Sequence, residues 1–190
     1  MTGDHGEGPA DDEDPVAPHQ VVVSSLVLHA LLVIAAMTWL YAHDRSDAVA
    51  ELAIGSRGPW LGLLAGAVAG IVFHGLVGAI AARTKALAGL DADLRGVFAG
   101  IDARAADAML LVAALGEEFL LRCAAQDAFG WPAGVAATVA LVIASRHRRL
   151  WLLAVVYASM LGLLVECGFG LLGSSVANVV VNHLNLRRLS

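Results

Sequence analysis

The sequence predicts an all-α fold, a polytopic membrane helix bundle of about six transmembrane helices plus one amphipathic helix lying in the membrane interface. Three observations lead there. First, 58% of the 190 residues are apolar and only 15% are charged, against roughly 45–50% and about 25% in soluble domains. With a mean hydropathy of +0.74, this balance excludes a water-soluble globular enzyme. Second, apolar stretches recur six times, at roughly 21–42, 60–82, 107–128, 132–146, 150–167 and 170–186. A span needs about 20 residues, so six fit and eight do not. Third, threading six spans gathers Arg83, Lys85, Arg95, Arg104, Arg146, Arg148, Arg149, Arg187 and Arg188 on one side and leaves only Arg45 and Arg57 on the other. The positive-inside rule then places both termini in the cytoplasm.

The elements follow in order. Residues 1–20 carry Asp4, Glu7, Asp11, Asp12, Glu13 and Asp14, no Lys or Arg, and three of the five prolines. So little apolar surface cannot offset chain entropy, and a disordered acidic tail is expected. It lacks the basic start and small-residue cleavage site of a signal peptide. Residues 21–190 form a single transmembrane helical domain. Between the second and third stretches, Leu87, Leu90, Leu94, Val97, Phe98 and Ile101 recur at helical spacing among charges, the pattern of a helix in the interface plane. The fourth stretch is short, and only the turn Cys167-Gly168-Phe169-Gly170 separates the last two. Cys123 and Cys167 both sit in apolar surroundings, as small buried side chains rather than a disulfide framework. Arginine outnumbers lysine eleven to one beside abundant Ala and Gly, which is compatible with a GC-rich bacterial source; the expected location of such a bundle is then the bacterial inner (plasma) membrane.

The third stretch reads AMLLVAALGEEFLLRCAAQDAFG and holds Glu117, Glu118 and Arg122. Each ionisable group at the bilayer centre costs about 2.5–3.5 kcal/mol on insertion scales. Glu118 and Arg122 are four apart, share a helix face and can form an ion pair. Glu117 lies about 100° around the helix from Glu118 with no local cation, so it should be protonated or face a polar cavity. Further polar groups occur later. His147 ends the fourth stretch, and Asn178, Asn182 and Asn185 share one face of the sixth. From the helical rise, Glu117 lies about 15 Å and Asn178 about 13 Å from the cytoplasmic boundary, so the two can meet. His147 comes out several ångströms shallower. His29 and His74, alone in the first two stretches, read as satisfied interior residues, and His183 as facing headgroups or a neighbouring helix.

Glu117-Glu118-Phe-Leu-Leu-Arg122 resembles the Glu-Glu-x-x-x-Arg signature of the CPBP intramembrane proteases, also called the CAAX-protease or Abi family. His147 stands where that family closes its Phe-x-x-x-His motif, with Ile143 in place of the Phe. The ending ANVVVNHLNLRRL is similar to the family's final His-x-x-x-Asn motif, with Asn182 on its Asn and Asn178 on its His. Cys123 replaces the Gly usual after the Arg. The resemblance covers roughly 87–189.

It implies an endopeptidase that hydrolyses peptide bonds of membrane-embedded or prenylated substrates. Glu117 and His147 would activate water, Asn178 and Asn182 would stabilise the oxyanion, and Glu118 with Arg122 would order the cavity. No cofactor is required on this reading. An older view of the family makes Glu and His zinc ligands, and a neutral amide at 178 suits zinc poorly. The implied partners are a membrane peptide or protein substrate and the lipid bilayer, with no nucleic acid. Asn178, Ile143 and Cys123 keep a second reading open, a catalytically degenerate member acting as a membrane binding or immunity-type protein. A transporter lacks the broken-helix pair or inverted repeat expected of it, and Ser174-Ser175 lacks the Gly-x-Ser-x-Gly setting of a serine nucleophile.

Overall fold

The computed structural model describes residues 17–46, 48–83, 92, 95–144 and 150–189, and it is all-α among them. Helix α1 spans Pro18–Ala42, α2 Ala48–Ile54 and α3 Pro59–Ala81. Helix α4 begins at Ala103–Glu118, widens into a π-helical stretch at Phe119–Gln126 and ends with Asp127–Phe129. Helix α5 is Trp131–Ala144, α6 is Trp151–Leu164, and a π-turn at Val165–Phe169 leads into α7, Gly170–Leu189. Helices α1, α3, α4, α5, α6 and α7 fall on the six apolar stretches.

Among the described residues, three helical segments are long and apolar enough to cross a membrane: Pro18–Ala42, Pro59–Ala81 and Trp151–Arg188, the last made of α6 and α7 joined through the turn at Val165–Phe169. Large apolar side chains such as Val27, Leu31, Ile34, Val68, Ile71 and Val72 point outward from α1 and α3, a surface suited to lipid rather than water. Helix α5, with 14 residues, rises only about 21 Å, short of the roughly 30 Å hydrocarbon core.

Local chemistry explains the boundaries. Helix α1 starts at Pro18, not at residue 21 as the apolar pattern predicts, because proline suits the first helical turn. Residues 18–20 are therefore helical and not part of a disordered tail; residues 1–16 lie outside the described residues. Asp102 caps α4 by accepting from the amides of Arg104 (2.9 Å) and Ala105 (3.3 Å). Gly168 and Gly170, both at positive φ, reverse the chain between α6 and α7 as the sequence predicts. Of the expected interfacial helix, Arg95–Phe98 form one helical turn, and 84–91 with 93–94 lie outside the described residues.

Packing fixes helix directions. Gly62, Gly66 and Gly70 of α3 lie against Phe169 of the π-turn and Gly173 and Ala177 of α7, so closely that an added Cβ would strike backbone carbonyls. Both series ascend together, so α3 and α7 run parallel, in the close contact that small residues permit between membrane helices. Helices α1 and α4 are parallel too: Pro18 meets Gly100, His29 meets Gly116 and Arg45 binds Asp127. One end of the bundle thus carries Arg45, Arg57, Asp127 and the α6–α7 turn, joined by Arg57 Nε donating to Cys167 O at 2.6 Å. The other carries Asp107, with His183 Nδ1 at 2.9 Å and Arg187 Nη2 at 3.8 Å.

Candidate functional site

The two glutamates of α4 diverge. Glu118 points into the bundle, where its side chain and that of Arg122 are each 1% exposed and the Arg122 Nε–Glu118 Oε2 distance is 3.2 Å. This is the ion pair the four-residue spacing predicts. The column continues through the π-helical stretch, as Arg122 Nη1 donates to Gln126 Oε1 at 3.4 Å. Gln126 Nε2 in turn donates to Gly162 O at 3.1 Å and Glu166 Oε1 at 2.8 Å. Wide π-turns collect at functional sites, and here the turn lets Arg122 and Gln126 reach a neighbouring helix. Gly134 of α5 makes room, since a Cβ there would lie 2.8 Å from Arg122 Nη1. Arg122 Nη2 meets no acceptor among the described residues.

Asn178 closes the other side of this network. Its Nδ2 donates to Glu118 Oε1 at 3.5 Å, and its Oδ1 accepts from Tyr157 Oη at 2.9 Å and Asn182 Nδ2 at 2.7 Å. The depth argument pairs Asn178 with Glu117, but the structure pairs it with Glu118, because Glu118 is the carboxylate on the face turned toward α7. Asn178 is buried and its amide is committed to partners on either side.

Glu117, with a side chain 44% exposed, stands outside this network. It lines an open cavity of about 300 Å³ bordered by α3, α4, α5, α6 and α7. Phe73, Val77, Leu121, Leu153 and Val181 give an apolar wall; Thr138, Tyr157, Asn182 and Asn185 add polar groups. The lining is mostly apolar, so the polar surroundings expected for this carboxylate are supplied only by those few groups. Among the described residues its own helix offers it no cation, as expected, but His29 Nε2, a cation source when the ring is protonated, lies 3.7 Å from Glu117 Oε1. That cation source comes from α1, a helix distant in sequence, which is why reading α4 by itself does not find it.

Of the expected site residues, Glu118, Arg122, Asn178 and Asn182 thus join one hydrogen-bonded network, and Glu117 shares the cavity with Asn182. His147 lies outside the described residues. Sequence reasoning misses Tyr157, reads His29 only as a satisfied interior residue, and finds Glu166 only through the turn Glu166-Cys-Gly, which resembles the family's Glu-x-Thr-Gly. It misses Gln126 as well, although the next four-residue step after Glu118 and Arg122 points to it. His74 Nδ1 lies 2.9 Å from Asn185 Oδ1, so His74 is satisfied as expected, and His183, partly exposed at the bundle's end, meets Asp107 on a neighbouring helix. Cys123 is buried as expected, but Cys167 is exposed, because it sits in the π-turn at the bundle's end. Among the described residues no three His, Cys, Asp or Glu side chains converge to hold a metal, so they do not by themselves supply a zinc site. In comparisons with known proteins, no family model, no curated protein and no solved structure matches this chain.

Proposed function

We propose that the chain is a bacterial intramembrane endopeptidase of the CPBP/CAAX-protease type, which hydrolyses peptide bonds of membrane-embedded or prenylated substrates by carboxylate-activated water. One observation carries the reading: Glu117, in a helix of an apolar bundle, exposes its carboxylate to a cavity that also presents amide donors, while the adjacent Glu118 is neutralised by Arg122. Glu117 takes a proton from water as the oxygen attacks the scissile carbonyl. The second N–H of Asn182, whose first binds Asn178, donates to the developing oxyanion. Collapse of the tetrahedral intermediate breaks the C–N bond, and Glu117 returns its proton to the leaving amine. His147, on the resemblance, shares the water.

Purified protein in proteoliposomes, given a fluorogenic peptide carrying an apolar membrane segment, should cleave it slowly. Glu117→Gln should abolish the signal, and full activity in that variant would refute the assignment. The commitment of Asn178 favours the second reading, a membrane binding protein, because an amide spent on Glu118 is a donor withheld from the oxyanion. Losing one such donor costs about 10²–10³ in rate. Asn178→His should preserve or raise cleavage; inert native protein that stays inert after this change would support the binding role.

The same reading has six membrane crossings with both termini in the cytoplasm. Cys167, exposed at the Arg57 end, should then react from outside intact cells with an impermeant maleimide, while buried Cys123 should not. Labelling of engineered cysteines at both chain ends from outside would overturn the orientation.

A further inference from the structure

We infer that Glu117 and His29 hold one proton between them, so that helix α1 supplies an imidazole that positions the cavity carboxylate and balances its charge. The argument starts from the other ring nitrogen. His29 Nδ1 lies 2.6 Å from the carbonyl oxygen of Ser25, one turn back in the same helix. A carbonyl only accepts, so Nδ1 carries the hydrogen. Nε2 then bears either a lone pair or a second hydrogen, and it faces Glu117 Oε1 at 3.7 Å. A lone pair aimed at an ionised carboxylate is repulsive. One proton placed on either partner removes the repulsion, giving imidazolium with carboxylate or neutral imidazole with carboxylic acid. The distance exceeds that of a hydrogen bond, as is common for catalytic pairs without substrate, and the half-exposed Glu117 side chain has room to close it.

The fold builds this approach. Gly116, the residue before Glu117, has no side chain where α1 crosses: an added Cβ would lie 2.9 Å from both Cβ and the carbonyl oxygen of His29. The contact seats the His29 backbone on α4 beside Glu117. His29 is itself buried, so its ring is held by Ser25 and Glu117 rather than by solvent. Around the pair, Glu118 and Arg122 on α4 neutralise each other. Tyr157 on α6, with Asn182 and Asn185 on α7, lines the cavity, and His74 on α3 is engaged with Asn185. Among the described residues, His29 is the imidazole within ion-pair range of Glu117.

The catalytic consequence rests on the peptidase reading; the pair itself does not. The test is ¹⁵N NMR of histidine-labelled full-length protein in detergent micelles, with His29→Gln assigning the resonances. Glu117→Gln should move the Nε2 resonance of His29 and leave Nδ1, bonded to Ser25, in place. Asp107→Asn should move His183 and not His29. An Nε2 resonance unchanged by Glu117→Gln overturns the proposal. In the peptide assay, His29→Gln offers Glu117 a hydrogen bond but takes no proton, and kcat should fall about 10²-fold with KM little changed and an altered pH profile. A shifted Nε2 in protein that cleaves no peptide upholds the pair and refutes the peptidase reading. A kcat and pH profile unchanged by His29→Gln overturn the positioning role.

Discussion

Glu118 and Glu117 are consecutive residues of one helix, yet Glu118 is 1% exposed within a hydrogen-bonded network and Glu117 is 44% exposed on a cavity with an imidazole at 3.7 Å. The step of about 100° between neighbouring helical positions sends the first toward α7 and the second toward α1 and the cavity. Two identical side chains therefore take different work. The buried one has both carboxylate oxygens engaged, by Arg122 on α4 and Asn178 on α7. The exposed one keeps a face open to whatever enters the cavity. The difference teaches that charge within a membrane bundle is structural where its partners enclose it and available for chemistry where they leave a side free.

Removing a member of the buried network should break the comparison most strongly. Arg122→Ala leaves Glu118 buried without its cation, which costs about 3–5 kcal/mol when a buried pair is broken. Thermal unfolding of purified protein should show the loss, together with low abundance in the membrane; native-like stability would mean that the pair does not hold the bundle. Asn178→Leu comes next. It strips Glu118 Oε1, Tyr157 Oη and Asn182 Nδ2 of one partner, and a buried polar group left unsatisfied costs about 1–3 kcal/mol. Solvent denaturation of the variant, compared with Asn182→Ala, should show the larger loss for Asn178.

These residues also mark how far the sequence is legible. The helix positions came from apolar runs, and the Glu118–Arg122 pair from four-residue spacing, because both are properties of a single helix. His29 and Tyr157 were opaque because their roles exist only where separate helices touch. Nothing within SSLVLHALL says that His29 will lie on Gly116, and Tyr157 reads as one more aromatic in an apolar run until α7 brings Asn178 to it. The pairing of Asn178 with the wrong glutamate arose the same way: depth fixes height along the bundle but not the face a side chain presents.

Gly116→Ala sharpens the comparison by disturbing Glu117's side alone. The added methyl meets His29, forcing α1 away from α4, and overpacking of this kind costs about 1–3 kcal/mol. The NMR signature of His29 should change in this variant while that of His183 stays native. If both change, the contact is a general packing seam and not a local seat for the pair.

Glu117→Gln should have the smallest effect on stability of all. The side chain is half-exposed, glutamine has nearly the same volume, and the neighbouring Glu118 network contains no atom of Glu117. Substitutions away from buried networks fall within about ±0.5 kcal/mol, and the loss of one ion-pair interaction with His29 is offset by the removal of a carboxylate from an apolar wall. Unfolding midpoints of native protein and Glu117→Gln should therefore coincide, in contrast to Arg122→Ala. A destabilisation approaching that of Arg122→Ala would place Glu117 in the structural class with Glu118, and the division of labour between the two carboxylates would fail.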